Sequence, residues 1–175
     1  TVKNFLFSST AAVYKDGKNK VSERSKLIPK SIYGKTKLAA EKIIVKICKK
    51  EKINYGILRY FNIVGSSPSN KVGLINESDH LFKNLSSQIL KKKPVFKIYG
   101  SNHKTKDGTC VRDFIHVSDI AEIHNKVLKK IDKINISKIL NCGYGKGLSV
   151  KQVINEFKKY TNKNVRIHIM PKRKG

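Results

Sequence analysis

The chain has 175 residues, 39% of them hydrophobic, enough for one domain with a real core and too few for two full ones. No run of about eighteen apolar residues occurs, which excludes a transmembrane helix, and the opening TVKNFLFSST does not read as a secretory signal. The formal charge of +26 raises nucleic acid or an anionic surface as a partner, but lysine is spread over nearly every segment without interleaved aromatics.

Strands and helices alternate along the chain, the pattern of an α/β fold. Residues 2–7 are a short apolar run with a polar exit at Ser8, Ser9 and Thr10, suited to a buried parallel strand. The spacing predicts a long helix over 33–51, with Ala40, Ile43, Ile44 and Ile47 on one apolar face and Pro29 in the entry turn. Residues 54–61 read as the next strand and 62–79 as a loop. A helix is expected over 80–92, stopped by Pro94, and short strands near 95–99 and 111–115. Ser118 is a candidate cap for a helix carrying Ile120, Ile123 and Val127. A strand near 138–142 precedes a second helix capped by Ser149, with Val150, Val153, Ile154 and Phe157 on one face. Residues 165–169 alternate as an edge strand.

The first candidate for chemistry is Tyr33-Gly-Lys-Thr-Lys37. Tyr33 and Lys37 stand at i, i+4 and project from one helix face. An ammonium beside a phenol favours the phenolate, and a tyrosine so placed can work as a general acid and base. The hydroxyls of Ser8, Ser9 and Thr10 leave the first strand where ligands bind in open α/β sheets. In so lysine-rich a chain the spacing alone also fits an exposed tyrosine beside a solvated lysine. Three scattered cysteines, Cys48, Cys110 and Cys142, form no CxxC and fit small buried side chains in a reducing compartment, which points to the cytoplasm. His80, His103, His116, His124 and His168 share no metal-ligand spacing, and His116 reads as structural. Asp113 and Asp119 do not make an acid/base pair; an aspartate at a helix start complements the dipole. Gly143, Gly145 and Gly147 lack both the P-loop ending and the Rossmann spacing, and read as a turn.

Six segments change the weight of these features by occurring together and in order: SSTAAVY, SIYGKTK, LRYFNIVG, DGTCVRDFIHVSDIAE, NCGYGKGLSV and MPKRKG. The chain resembles the extended short-chain dehydrogenase/reductase family, and within it the enzymes that epimerise nucleotide sugars, from Asn4 to Gly175. The resemblance implies a partial NAD-binding Rossmann fold, a parallel sheet with flanking helices, plus part of a smaller C-terminal substrate domain. It divides the chain into 1–62, the end of the Rossmann domain, and 63–175, mainly the UDP-sugar domain, with elements near 111–130 returning to the first. It implies NAD-dependent epimerisation at C4 of a UDP-hexose, between UDP-glucose and UDP-galactose, through a 4-keto intermediate.

By the same resemblance Tyr33 is the acid and base on the 4-hydroxyl, Lys37 tunes it and holds the nicotinamide ribose, and Thr10 hydrogen-bonds the 4-oxygen. Phe61 joins Thr10, Tyr33 and Lys37 at the cofactor. Asn62, His80, Leu81, Tyr99, Arg112 and Arg173 contact the UDP-sugar, the two arginines suiting its phosphates because a guanidinium makes paired charge-assisted bonds. Sister enzymes that eliminate water carry an acidic pair after the catalytic threonine; here those positions are Ala11 and Ala12. Ile63 stands where the family usually has proline, which would loosen the sugar loop. The family's G-x-x-G-x-x-G is absent from this sequence, which starts at Thr1 and has its one methionine at Met170. The expectation is a piece of a longer protein, about half of a family member, that forms a homodimer through the helix over 33–51. No specific nucleic acid, membrane or metal is expected. Left open are another epimerase, dehydratase or decarboxylase of the family, a UDP-binding fragment without catalysis, and a basic nucleic-acid binder.

Overall fold

The computed structural model describes residues 2–17, 20–69, 71–75, 80–134 and 137–172. The chain forms two compact units. Among the described residues, one holds those from Val2 to Ile63 together with those from Ile115 to Gly145; the other holds those from Val64 to Phe114 and from Lys146 to Lys172. The chain passes between them at the short strand β3 (Asn62–Val64), at β5 (Val111–His116) and after Gly145.

The first unit is built on a parallel sheet of β1 (Asn4–Thr10), β2 (Asn54–Tyr60) and β6 (Lys138–Cys142), in the order β1-β2-β6. Alternation sends Phe7, Tyr55, Ile57 and Ile139 to one face, against Ile44, Val45 and Cys48 of α1 (Ile32–Lys50). Leu6, Leu58, Leu140 and Cys142 go to the other, against Ile120, Ile123, Val127 and Ile131 of α3 (Val117–Ile134). Helices on both faces are why these strands read as nearly unbroken apolar runs. Gly56 lets α3 sit close: a Cβ there would lie 2.5 Å from Leu6 Cδ2 and 3.0 Å from Val127 Cγ1.

The buried face of α1 differs from the expected one. Ile43 and Ile47 are 58% and 51% exposed, and the helix instead buries Glu41 and Cys48, with Ile44 and Val45 packed beside them. Periodicity finds an apolar stripe, but docking was decided by a buried ionic partner for Glu41. The α3 start also differs. Ser118 lies inside the helix, and its amide donates to His116 Nδ1 at 3.2 Å, so the imidazole does the capping. Residues 62–79 do not begin as a loop: Ile63 lies in the short strand β3 and packs on the α3-side cluster.

In the second unit, α2 (Leu81–Ile89) and α4 (Val150–Thr161) pack with β4 (Val95–Tyr99) and β8 (Arg166–Met170), which pair in parallel. Leu85, Ile89, Phe96, Ile98, Phe114, Val153, Ile154 and Val165 form the core. Phe82 meets Phe114 and Phe157 edge-on, centroids 5.2 and 5.5 Å away. β5 pairs antiparallel with β7 (Gly147–Ser149), a strand within the segment read as a turn. Ser149 caps α4 through a full capping box with Gln152. Among the described residues, no helix is long and apolar enough to cross a membrane.

Candidate active site

The carboxyl end of β1 organises the site. Thr10, the last residue of β1, is extended at φ −146°, and its Oγ1 accepts from the Ala12 amide at 3.1 Å, starting a 3-10 turn over Ala11–Val13. The first turn of α1 lies against that turn. Ser31 Oγ accepts from the Gly34 amide at 3.1 Å, and a Cβ on Gly34 would come within 2.5 Å of the Ala12 carbonyl oxygen. A glycine is needed there because any side chain would push the helix off the end of β1.

That close approach lays the first turns of α1, which carry Tyr33 and Lys37, against the end of β1. Tyr33 is 56% exposed. One turn on, the Lys37 ammonium donates to the Ser8 carbonyl at 2.9 Å. It lies 5.0 Å from the Phe7 ring centroid and 5.8 Å from that of Tyr33. Lys37 thus ties α1 to β1 while keeping its charge beside the tyrosine ring. Phe61 follows β2, half-buried, its amide donating to the Cys142 carbonyl at 3.2 Å; Asn62 is exposed.

Of the residues expected at the sugar nucleotide, four lie among the described residues of the second unit. His80 is exposed at the N-cap position of α2, and its carbonyl accepts from Asn84 at 2.9 Å. Leu81, the first residue of α2, is half-buried and packs on the core. Tyr99 ends β4 and is 38% exposed. Arg112 is exposed, its guanidinium folded back on the Val111 carbonyl at 2.9 Å. Arg173 lies outside the described residues.

Two polar clusters escaped sequence reading. Tyr60 Oη lies 2.9 Å from Ser8 Oγ and 2.8 Å from His124 Nε2, and His124 Nδ1 lies 2.7 Å from the Ile120 carbonyl. Burial pushes the Tyr60 phenol above its ordinary pKa. The second joins Arg59 to Glu41, both nearly inaccessible to solvent, with Ser9 and Tyr14. The sequence signal was there: Glu41 falls on the stripe of Ile44, Val45 and Cys48, and Arg59 interrupts an apolar strand. Two opposite charges at core positions ask for each other.

A parallel sheet with helices on both faces and polar side chains at its carboxyl edge defines the Rossmann-like α/β class. Within it, the chain belongs to the NAD dependent epimerase/dehydratase family, whose sequence profile matches residues 1–143. It is 34% identical to a UDP-glucose 4-epimerase of Azospirillum brasilense, over 99% of this chain and 51% of that protein. A UDP-arabinose 4-epimerase of Arabidopsis thaliana is 36% identical over 99% of the chain and 43% of its own length. Among solved structures, the UDP-glucose-4-epimerase of Stenotrophomonas maltophila, with bound NAD and formylated UDP-arabinopyranose, superposes with a TM-score of 0.93 at 32% identity, covering 99% of this chain and 53% of that one. The chain spans about half the length of the curated relatives it matches.

Proposed function

We propose that the protein carrying this chain inverts C4 of a UDP-hexose, interconverting UDP-glucose and UDP-galactose through a 4-keto sugar. The observation that carries this reading is the Tyr33–Lys37 pair on the first turns of α1, tied to the end of β1 through the Ser8 carbonyl. Tyr33 Oη takes the proton of the sugar 4-hydroxyl and later returns it. Thr10 Oγ1 hydrogen-bonds the 4-oxygen. Lys37 grips the ribose of the nicotinamide nucleoside, and Phe61 flanks its ring. NAD, when bound, supplies the hydride acceptor at C4. The fit to that group is local: an exposed phenol and an ammonium at the carboxyl edge of a parallel sheet suit its nicotinamide end, whereas a G-x-x-G-x-x-G is not part of this sequence. Ala11 and Ala12 offer no acid for elimination, which favours epimerisation over dehydration. Asn62, His80, the Leu81 backbone, Tyr99, Arg112 and Arg173 are the groups for the UDP-sugar.

A homodimer through α1 fits the exposed Ile32, Ile43 and Ile47 on that helix. Free thiols at Cys48, Cys110 and Cys142 suit the cytoplasm. For the chain by itself, the missing glycine fingerprint favours a second reading, UDP binding without turnover.

The test is conversion of UDP-galactose to UDP-glucose with added NAD, by this chain and by the whole protein, with UDP-arabinose in parallel. Tyr33→Phe should lower kcat about 10²- to 10⁴-fold. Undiminished turnover by Tyr33→Phe rejects the assignment. Faster turnover of UDP-arabinose moves the substrate from hexose to pentose.

A further inference from the structure

Ser9, Arg59 and Asn141 are partners in one row across β1, β2 and β6. Two residues back along each strand, the row on the same face is Phe7, Ile57 and Ile139, all apolar. The polar row therefore lies at the carboxyl edge of the sheet, one residue before Thr10. Into it α1 inserts Glu41, one turn beyond Lys37 and two beyond Tyr33.

Arg59 Nε donates to Glu41 Oε1 at 3.0 Å and Nη2 to Oε2 at 2.6 Å. Ser9 Oγ also donates to Oε1. Arg59 Nη1 donates to Tyr14 Oη at 2.9 Å, and its guanidinium stacks 4.9 Å from that ring. Tyr14 in turn donates to Asn141 Oδ1 at 2.6 Å, and the Asn141 backbone N–H donates to Glu23 Oε1 at 2.8 Å. Three strands, α1 and the segment after β1 meet in one network.

Such a network is a costly way to hold layers together, since apolar residues of the same volume stabilise as well or better. What it adds is direction. Apolar packing tolerates small slides and rotations of a helix, whereas a two-point guanidinium–carboxylate fork sets both. We propose that Glu41 and Arg59 are positioning residues: their fork fixes the height and rotation of α1 on the sheet edge, and so the spacing of Tyr33 and Lys37 from Thr10. Ser9 and Tyr14, on either side of Thr10 and its turn, hold the other side of that spacing to the same fork. The inference rests on the catalytic reading above.

The test uses the whole protein with three variants: Glu41→Gln, Arg59→Lys and the double Glu41→Leu/Arg59→Met. The double variant is expected to melt like the parent while kcat falls about 10- to 100-fold and KM changes less than about twofold. A parental melt with parental kcat makes the pair structural only and overturns the proposal. Should the double variant not fold, Glu41→Gln and Arg59→Lys decide: each keeps hydrogen bonding, and a parental kcat in both overturns the proposal equally. Amide exchange supplies a readout independent of activity. In Glu41→Gln the Ala12 and Gly34 amides should exchange about tenfold faster while those inside α3 keep their rates; unchanged exchange at Ala12 and Gly34 also overturns the proposal. If the parent turns over no UDP-sugar but these amides respond, the catalytic reading fails and the positioning stands.

Discussion

Single side chains show how much of this molecule is local polar chemistry. Asp107 accepts from the Thr109 amide at 2.9 Å and hydroxyl at 2.7 Å, and from Ser149 Oγ. The Ser149 bond, followed by those from Thr109, outweighs burial and holds this carboxyl below its usual 3.8. A depressed carboxylate contributes stability that is fully present above the ordinary value and is lost as pH falls through the lowered one. Asp107→Asn should therefore cost about 1 kcal/mol at neutral pH and progressively less below the ordinary aspartate range. Melts at neutral and strongly acidic pH check this, and an equal deficit at both contradicts it. Cys142 gives a second prediction. Burial, with a contribution from the Glu23 carboxylate, pushes its thiol up to about 11. In the native protein near pH 8, iodoacetamide should modify the less buried Cys110 before Cys142. Mass spectrometry showing equal labelling of the two would count against this packing.

The elements carry the site through two close contacts. Gly34→Ala would drive a Cβ into the Ala12 carbonyl and against Pro29 Cβ, 2.9 Å away. The first turn of α1 must then shift, taking Tyr33 with it. The expected outcome is a loss of about 1–3 kcal/mol in stability. Any turnover should fall further than the melt alone explains. A variant with parental melt and activity would show that the helix start is not fixed by this contact. The apolar stripe of α1 makes a separate claim. Ile43→Lys with Ile47→Lys should convert a dimer of the whole protein to monomer without unfolding it, since neither side chain is in the core. Sedimentation velocity decides, and an unchanged dimer would move the interface elsewhere.

For the molecule as a whole, the weak point is β1. Among the described residues it pairs only with β2 and forms one edge of the sheet, with Phe5 within it 40% exposed and Val2 just ahead of it 59% exposed. An apolar parallel edge invites further pairing. The purified chain alone should self-associate with rising concentration, and a reversible monomeric melt would argue against that. The high positive charge belongs to this scale too. Binding to polyanions should weaken steeply with salt, and a steep salt slope for nucleic acid that persists in Arg112→Ala with Arg173→Ala would favour the nucleic-acid reading instead.

Much of this was legible in one dimension because it depends on near neighbours. Alternation and apolar runs gave β1, β2 and β6; Ser149 gave the start of α4; an i, i+4 spacing gave the Tyr33–Lys37 pair. Their physics is complete within a turn of helix or a few residues of strand. Other features waited for the tertiary structure because their causes are far apart in the chain. Which face of α1 is buried was decided by Arg59, eighteen residues beyond Glu41. That His116 rather than Ser118 caps α3 depended on how β5 delivers its last residue to the helix. The buried row of Ser9, Arg59 and Asn141 exists only once three strands stand in register. A sequence states what each residue can offer, but a buried charge is stable only beside a partner, and the fold alone chooses that partner.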